Sequence, residues 1–266
     1  MKKLLIFLFC VLLSVAGCHK DNDLVMGGKI GELSWMLYRD GTLTISGAGE
    51  IPDFHILPTE NLPPWFERRN DISKVVIGNE VSKIGSFAFF RCENLTSVTF
   101  GNSINSIGYR AFSGCTGLKS VTIPDLVTII EDEVFSGCTG LTSVIIPNSV
   151  ITIGNASFYQ CESLTSVIIP NSVTTIGENA FFGCIGLTSV TIGSSVATIG
   201  DDAFRNCTNL NEIINNATTP QNINPTMFWG IDSLNRTLFV PIESLEAYIH
   251  SDWALAGFRI IAIYEP

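Results

Sequence analysis

The chain has 266 residues, 46% of them hydrophobic and only 15% charged, which excludes a disordered protein, since disorder needs few apolar residues and much charge. Lys and Arg number 15 against 25 Asp and Glu, a net charge of −10. An acidic chain with no Lys/Arg cluster repels polyphosphate, so nucleic-acid binding is excluded, and anionic lipid headgroups are disfavoured on the same ground.

Met1-Lys2-Lys3 makes a positive start and Leu4 to Ala16 an apolar run. Such a run, as helix, covers about 20 Å, short of a hydrocarbon core of about 30 Å. Residues 1–17 therefore read as a secretory signal peptide rather than a span. Val15-Ala16-Gly17-Cys18 resembles the bacterial lipobox, which implies that Cys18 is diacylated and becomes the new N-terminus. Two or three acyl chains hold a protein on a membrane almost irreversibly, each buried methylene contributing about 0.8 kcal/mol. Losing Lys2 and Lys3 leaves 13 basic residues against 25 acidic, or −12. The acidic pair in His19-Lys20-Asp21-Asn22-Asp23 resembles lipoprotein surface-export signals of some Gram-negative bacteria, implying an outer-membrane, cell-surface location. Residues 18–28 read as a polar tether.

Residues 29–71 form an N-terminal cap. Trp35, Leu37, Leu43 and Ile45 alternate around Asp40-Gly41, which predicts a β-hairpin with a two-residue turn. That hairpin covers a first strand whose open backbone would otherwise invite aggregation.

Residues 72–209 hold six copies of a 23-residue unit, LxxVxI(P/G)(N/D)SVxxIGxxAFxxCxx. Its columns are Cys92, Cys115, Cys138, Cys161, Cys184 and Cys207; Phe89, Phe112, Phe135, Phe158, Phe181 and Phe204; and the isoleucines from Ile84 to Ile199. LxxVxI predicts a short strand with Val and Ile on one side. Pro or Gly (Gly78, Gly101, Pro124, Pro147, Pro170, Gly193) ends it. VxxI predicts a second extended piece, and AFxxC a tight turn or short helix. One unit cannot bury its own apolar face, but stacked units share a continuous core. The Phe column is then core stacking and not a cofactor box. The third repeat has Leu126 for Ser and Glu131 for Gly, which reads either as a local backbone adjustment or as neutral drift. Residues 210–266 begin a seventh repeat at Leu210 and then degenerate. Leu238–Val240 reads as a strand, Ser244 as the N-cap of a short helix, and Arg259–Ile263 as a last strand.

The motif LTSVxIPNSVTTIGxxAFxxC, nearly letter for letter over residues 141–184, resembles the BspA-like leucine-rich repeat family of bacterial surface proteins. Gly31–Leu37, Asp40–Gly49 and Pro64-Trp65 resemble its N-terminal cap; Leu238–Pro241, Ser244–Tyr248, Trp253 and Phe258 resemble its C-terminal cap. The resemblance covers roughly residues 30–266. It implies a leucine-rich repeat solenoid (a right-handed superhelix or horseshoe, mostly β with short helical turns). It also implies adhesion to host matrix proteins, other cells or mucosal material.

Six cysteines remain after Cys10 and Cys18. Three disulfides are arithmetically open, but equivalent side chains on stacked units point in parallel, so buried free thiols are expected. Zinc is disfavoured because no Cys-x-x-Cys occurs. The histidines (His19, His55, His250) lie in tether and caps, and no nucleophile elbow, Walker loop, HExxH or dinucleotide fingerprint is present. No enzyme, metal or other cofactor is therefore expected. The acidic clusters Glu131-Asp132-Glu133 and Asp201-Asp202 read as solvated surface rather than calcium sites. The Asn79, Asn102, Asp125, Asn148, Asn171, Ser194 column reads as turn chemistry.

The strand positions pointing away from the core are Lys74 and Val76, Ser97 and Thr99, Ser120 and Thr122, Ser143 and Ile145, Ser166 and Ile168, Ser189 and Thr191. With Lys119 they make a hydroxyl-rich concave face with one apolar spot at Val76 and another at Ile145 and Ile168, the candidate site for an extracellular protein or glycan. Hydroxyl residues also simply suit exposed strands. Regular Thr resembles ice-binding arrays only remotely, given the isoleucines. Two alternatives stand beside adhesion: a structural envelope lipoprotein without a ligand, and a glycan-capturing lipoprotein of an uptake system. The second is weakened because the concave positions carry no aromatic residue.

Overall fold

A computed structural model describes residues 23–56, 61–231 and 236–263. The signal segment, the lipobox with Cys18, and His19 lie outside them.

β1 (Leu24–Ile30), β2 (Leu33–Tyr38) and β3 (Thr42–Ser46) form an antiparallel meander at the N-terminal end. Leu33, Trp35 and Leu37 alternate inward, all buried. β1 takes up Leu24–Gly28, so the chain is already paired where a tether is expected up to residue 28. The hairpin turn is Arg39-Asp40-Gly41, one residue longer than expected. Gly41 N–H donates to the Tyr38 carbonyl at 3.0 Å and Gly41 sits at φ +81°. This is a three-residue loop, a type I turn closed by a left-handed residue. A β-carbon on Gly41 would also lie 2.8 Å from the Asp71 carbonyl oxygen.

β3 then pairs in parallel with the first repeat, Leu43 opposite Val75, so the hairpin covers the first rung as its alternation requires. After β4 (Gly49–Glu50), each unit contributes two short strands. These are β5 (Lys74–Ile77) and β6 (Val81–Ile84), β7 (Ser97–Thr99) and β8 (Ser106–Ile107), β9 (Ser120–Thr122) and β10 (Ile129–Ile130). They continue with β11 (Ser143–Ile145) and β12 (Thr152–Ile153), β13 (Ser166–Ile168) and β14 (Thr175–Ile176), β15 (Ser189–Ile192) and β16 (Thr198–Ile199). Register is set by the repeat itself: Val121 faces Val144, Val167 faces Val190, and Ile153 faces Ile176.

Ladder breaks fall where packing loosens. The first ladder is interrupted between β7 and β9 and between β11 and β13, next to the half-buried Val98 and Val144. There the flanking bonds Lys119 N to Thr96 O and Thr165 N to Thr142 O stretch to 3.4 Å, against 2.8–2.9 Å for Thr96, Thr142 and Thr188. The second ladder breaks between β8 and β10, at the repeat that has Glu131 in place of glycine. The equivalent glycines explain why: a β-carbon on Gly154 would meet the Ile130 carbonyl at 2.7 Å, and one on Gly200 would meet Glu178 N at 2.5 Å. A side chain at this position holds neighbouring rungs apart, which is the backbone adjustment rather than neutral drift.

The AFxxC segment is not a helix in any repeat. It is a run of turns in which alternate N–H groups donate to the next rung, as Phe87 to Tyr109, Phe89 to Ala111 and Arg91 to Ser113, at 2.8–3.0 Å. This third ladder requires left-handed residues in two columns 23 apart: Phe87, Arg110, Glu133, Ala156, Asn179 and Asp202, then Arg91, Gly114, Gly137, Gln160, Gly183 and Asn206. The first column contains no glycine, so the inter-rung bonds offset the cost of about 1–2 kcal/mol that a left-handed L-residue carries.

Inside, the repeat phenylalanines stack nearly parallel at 5.1–5.6 Å between ring centroids. Trp65 extends the column before Phe89 at 5.7 Å, and Phe228 after Phe204 at 6.2 Å. At the far end β17 (Glu212–Asn215) and β18 (Thr237–Pro241) continue the sheet, followed by α1 (Leu245–Ile249), α2 (Asp252–Leu255) and β19 (Arg259–Ile263). Buried Tyr248, Trp253 and Phe258 cover the end of the aromatic column. Ser244 stands at the N-cap of α1 without capping it, because its hydroxyl donates to the Pro241 carbonyl at 2.8 Å. Ser251 does cap α2, accepting from Trp253 N. Asn215 and Gln221 form a buried clamp, Asn215 Nδ2 donating to Gln221 Oε1 at 2.9 Å and Gln221 Nε2 to the Val196 carbonyl at 2.7 Å.

Asp53 ties the N-terminal cap to the first repeat. Its carboxylate accepts from Ser86 N at 2.7 Å and pairs with Lys83 Nζ at 2.9 Å. The Ser86 N–H, more than Lys83, holds the carboxyl below its ordinary 3.8. A depressed folded value means the stabilisation is complete above the unfolded pKa and is lost as pH falls through the lower folded one. Asp53→Asn should therefore destabilise at neutral pH, and its gap from the native protein should close below about pH 4. Urea unfolding of both proteins across pH 3–7 reads this.

Candidate functional site

The outward strand residues form two columns because each parallel pair keeps its register. In one, Ser120 faces Ser143 and Ser166 faces Ser189; in the other, Thr122 faces Ile145 and Ile168 faces Thr191. Lys74 and Ser97, then Val76 and Thr99, begin the same columns. Ser97, Thr99, Ser120, Thr122, Ser143 and Ser166 are exposed, and Ser189 and Thr191 half-buried. Ile145 and Ile168 are 62% and 69% exposed, far above the buried Val and Ile beside them.

Two features of this face depart from the expected strand positions. First, the apolar column does not stop at Thr191: Ile214, Phe239 and Ile261 follow it in direct register. All three are half-buried. Phe239 thus supplies an aromatic residue that the repeat positions lack. The opposite column continues as Glu212, Thr237 and Arg259, so charge of both signs flanks the apolar stripe at this end. Second, Lys119 is exposed but stands one position before the two columns. It belongs with Thr96, Thr142, Thr165 and Thr188, whose hydroxyls donate to the previous rung's carbonyl at 2.9–3.5 Å. Lys119 Nζ lies 3.2 Å from where a β-carbon on Gly140 would stand, beside the face rather than on it.

The other candidate groups are occupied structurally. All six repeat cysteines are buried free thiols, and Sγ of Cys115, Cys138, Cys161, Cys184 and Cys207 donates to a phenylalanine carbonyl on the previous rung at 3.1–3.3 Å. Burial pushes the thiols of Cys92, Cys115, Cys138, Cys161 and Cys184 up, Cys92 and Cys138 to about 12. Thiolate is the reactive form, so a native ectodomain beginning after Cys18 should titrate no thiol with a disulfide reagent at pH 8. In denaturant it should titrate all six. Fewer than six in denaturant would show oxidation.

Glu133 accepts from Arg110 Nε at 2.8 Å, pairs with its Nη2 at 2.6 Å, and accepts from Tyr109 Oη at 3.0 Å. Asp132 accepts from Asn155 N, and Asp202 pairs with Arg205. Asp132, Glu133 and Asp202 of the acidic clusters are thus engaged in bonds between and within rungs. Among the described residues no group of three or more His, Cys, Asp or Glu is placed to hold a metal ion. Asn79 and Asn171 accept from the backbone N–H one rung on, Asn102 at 3.2 Å and Ser194 at 2.9 Å, in keeping with turn chemistry.

A family model described as a BspA type Leucine rich repeat region matches in 6 copies, over residues 64–185 and 128–256. A search of curated proteins gives no match. Among solved structures, a leucine-rich repeat protein of T. pallidum is 24% identical with a TM-score of 0.57, over 89% of this chain and 98% of that one. One from Eubacterium ventriosum is 21% identical with a TM-score of 0.44, over 88% and 83%. The pneumococcal vaccine antigen PcpA is 13% identical with a TM-score of 0.43, over 90% and 99%. At 24% identity the T. pallidum likeness is one of fold.

Proposed function

Because the chain belongs to the BspA-type leucine-rich repeat family, we propose that it is a surface-displayed recognition protein, not an enzyme. Its strand face would contact an extracellular protein or glycan. The observation that carries this reading is the outward apolar column. Ile145 and Ile168 stay more than half exposed while Ile214, Phe239 and Ile261 extend the line. Exposed aliphatics in register, flanked by hydroxyls, are costly to leave in water and suit a partner that covers several rungs at once.

The lipobox at Cys18 supports display on the cell surface through a lipid anchor. Leu24, the first residue of β1, follows Cys18 by six positions along the chain, a reach of at most about 20 Å. The N-terminal cap would then stand next to the membrane and the strand face would run away from it. Many anchored copies would convert weak single contacts into firm attachment.

Two experiments test this. Metabolic labelling with an alkyne fatty acid should mark the native protein and not Cys18→Ala. Absence of label on the native protein would contradict the anchor. The mature ectodomain, screened on extracellular-matrix protein and glycan arrays, should give saturable signal on at least one class. Clean negatives on both would overturn the recognition role.

A further inference from the structure

The turn face opposite in kind to the strand face carries a second feature. One turn column reads Phe90, Ser113, Ser136, Tyr159, Phe182, Arg205, and the next Arg91, Gly114, Gly137, Gln160, Gly183, Asn206. Large side chains fill this ridge except over two rungs, where Ser113-Gly114 and Ser136-Gly137 leave a cavity of about 300 Å³. With rungs about 4.8 Å apart, the gap spans about 10 Å. One end is closed by Phe90 and Arg91; the other meets the Tyr159 rung, whose carbonyl accepts from Gly137 N at 2.7 Å.

The cavity is positively charged on an acidic protein. Glu133 is held on both oxygens, by Tyr109 and by Arg110. Arg91 differs: its guanidinium lies over the Phe90 ring at 5.5 Å, and among the described residues no carboxylate pairs with it. Gly114 lets it recline there, since a β-carbon on Gly114 would come 2.9 Å from Arg91 Cγ. Arg91 and Arg110 against Glu133 leave one net positive charge in the lining. A guanidinium backed by an aromatic ring and free of a protein anion is suited to bind a carboxylate.

We propose that this notch binds a carboxylate-bearing sugar, a uronate residue of an acidic glycan. Arg91 takes the carboxylate, the Phe90 edge meets the C–H face of the ring, and Ser113 and Ser136 meet its hydroxyls. An open notch only about two rungs long fits a compact ring better than an extended peptide, and the volume lies at the lower limit for small-molecule sites. The site is independent of the strand-face reading.

The test is titration calorimetry of the ectodomain with tetragalacturonate, with maltotetraose and tetraglutamate as the neutral and peptide arms. Tetragalacturonate should bind, its affinity falling about ten-fold in Arg91→Gln, the loss of one charge-assisted contact of about 1.4 kcal/mol. Ser136→Tyr, which fills the notch with the residue type its own column carries at Tyr159, should remove binding while leaving the melting temperature unchanged. Ile145→Asp/Ile168→Asp should bind tetragalacturonate as the native protein does. No binding by the native protein, equal binding of maltotetraose or tetraglutamate, or undiminished binding in Ser136→Tyr would each overturn the proposal. Loss of binding in the strand-face variant would overturn its placement in the notch.

Discussion

Phe158→Ala should lower the unfolding free energy by about 3–5 kcal/mol, the range for deleting a buried aromatic ring. Phe158 is fully buried and sits midway along the aromatic column. Its ring lies 5.5 Å from Phe135 and 5.2 Å from Phe181, within 13° and 4° of parallel. Removing it leaves a ring-sized void, and the rungs cannot close on it because three ladders fix the spacing to the Phe135 rung and two, the second strand ladder and the turn ladder, fix it to the Phe181 rung. In a solenoid each unit contacts only its neighbours, so the void also weakens coupling between the two halves. Urea denaturation should show a lower midpoint and a shallower transition, while Phe158→Leu, which keeps most of the volume, should cost clearly less. A native-like midpoint in Phe158→Ala would mean that the stack is not what joins the rungs.

Trp65→Ala should cost a comparable amount for a different reason. Trp65 is the first ring of the column, stacked on Phe89 at 5.7 Å and edge-on to Trp35 and Phe54 at 5.7 and 6.2 Å. Its indole Nε1 donates to the Ala88 carbonyl at 2.9 Å. Truncation costs about 3–5 kcal/mol in packing and leaves that buried carbonyl unpaired. The damage lies at one end, so the N-terminal cap should fray before the repeats unfold. Hydrogen exchange should quicken in β1–β3 and the first rung and stay slow in β13–β17. Uniform quickening along the chain would contradict end-capping by Trp65.

The period of 23 made the Leu, Ile, Phe and Cys columns readable, because equivalent positions in stacked rungs meet the same neighbours and therefore need the same side chain. The left-handed column from Phe87 to Asp202 was not readable. Its residues are Phe, Arg, Glu, Ala, Asn and Asp, and the conformation is imposed by bonds to the next rung rather than by residue type. The companion column left a partial signature in Gly114, Gly137 and Gly183, which the turn reading did not use. The C-terminal half of the strand face was hidden by spacing. The steps from Glu212 to Thr237 and from Thr237 to Arg259 are 25 and 22 residues, so a search at 23 reaches Ile214 but loses Phe239 and Ile261. Tyr109 and Arg110 against Glu133 were missed because their pairing crosses rungs in a column with no repeated charge pattern.

The strand-face columns and the structural columns respond to substitution differently, and this separates recognition from folding. Ile145 and Ile168 bury little of themselves, so replacing them with Asp should leave stability within about 0.5 kcal/mol of native, as for surface positions generally. The most direct measurement is therefore binding of the Ile145→Asp/Ile168→Asp ectodomain to the partner found by array screening, beside its melting curve. We expect an unchanged melt and loss of binding. An unchanged melt with undiminished binding would contradict the assignment of the strand face as the recognition site.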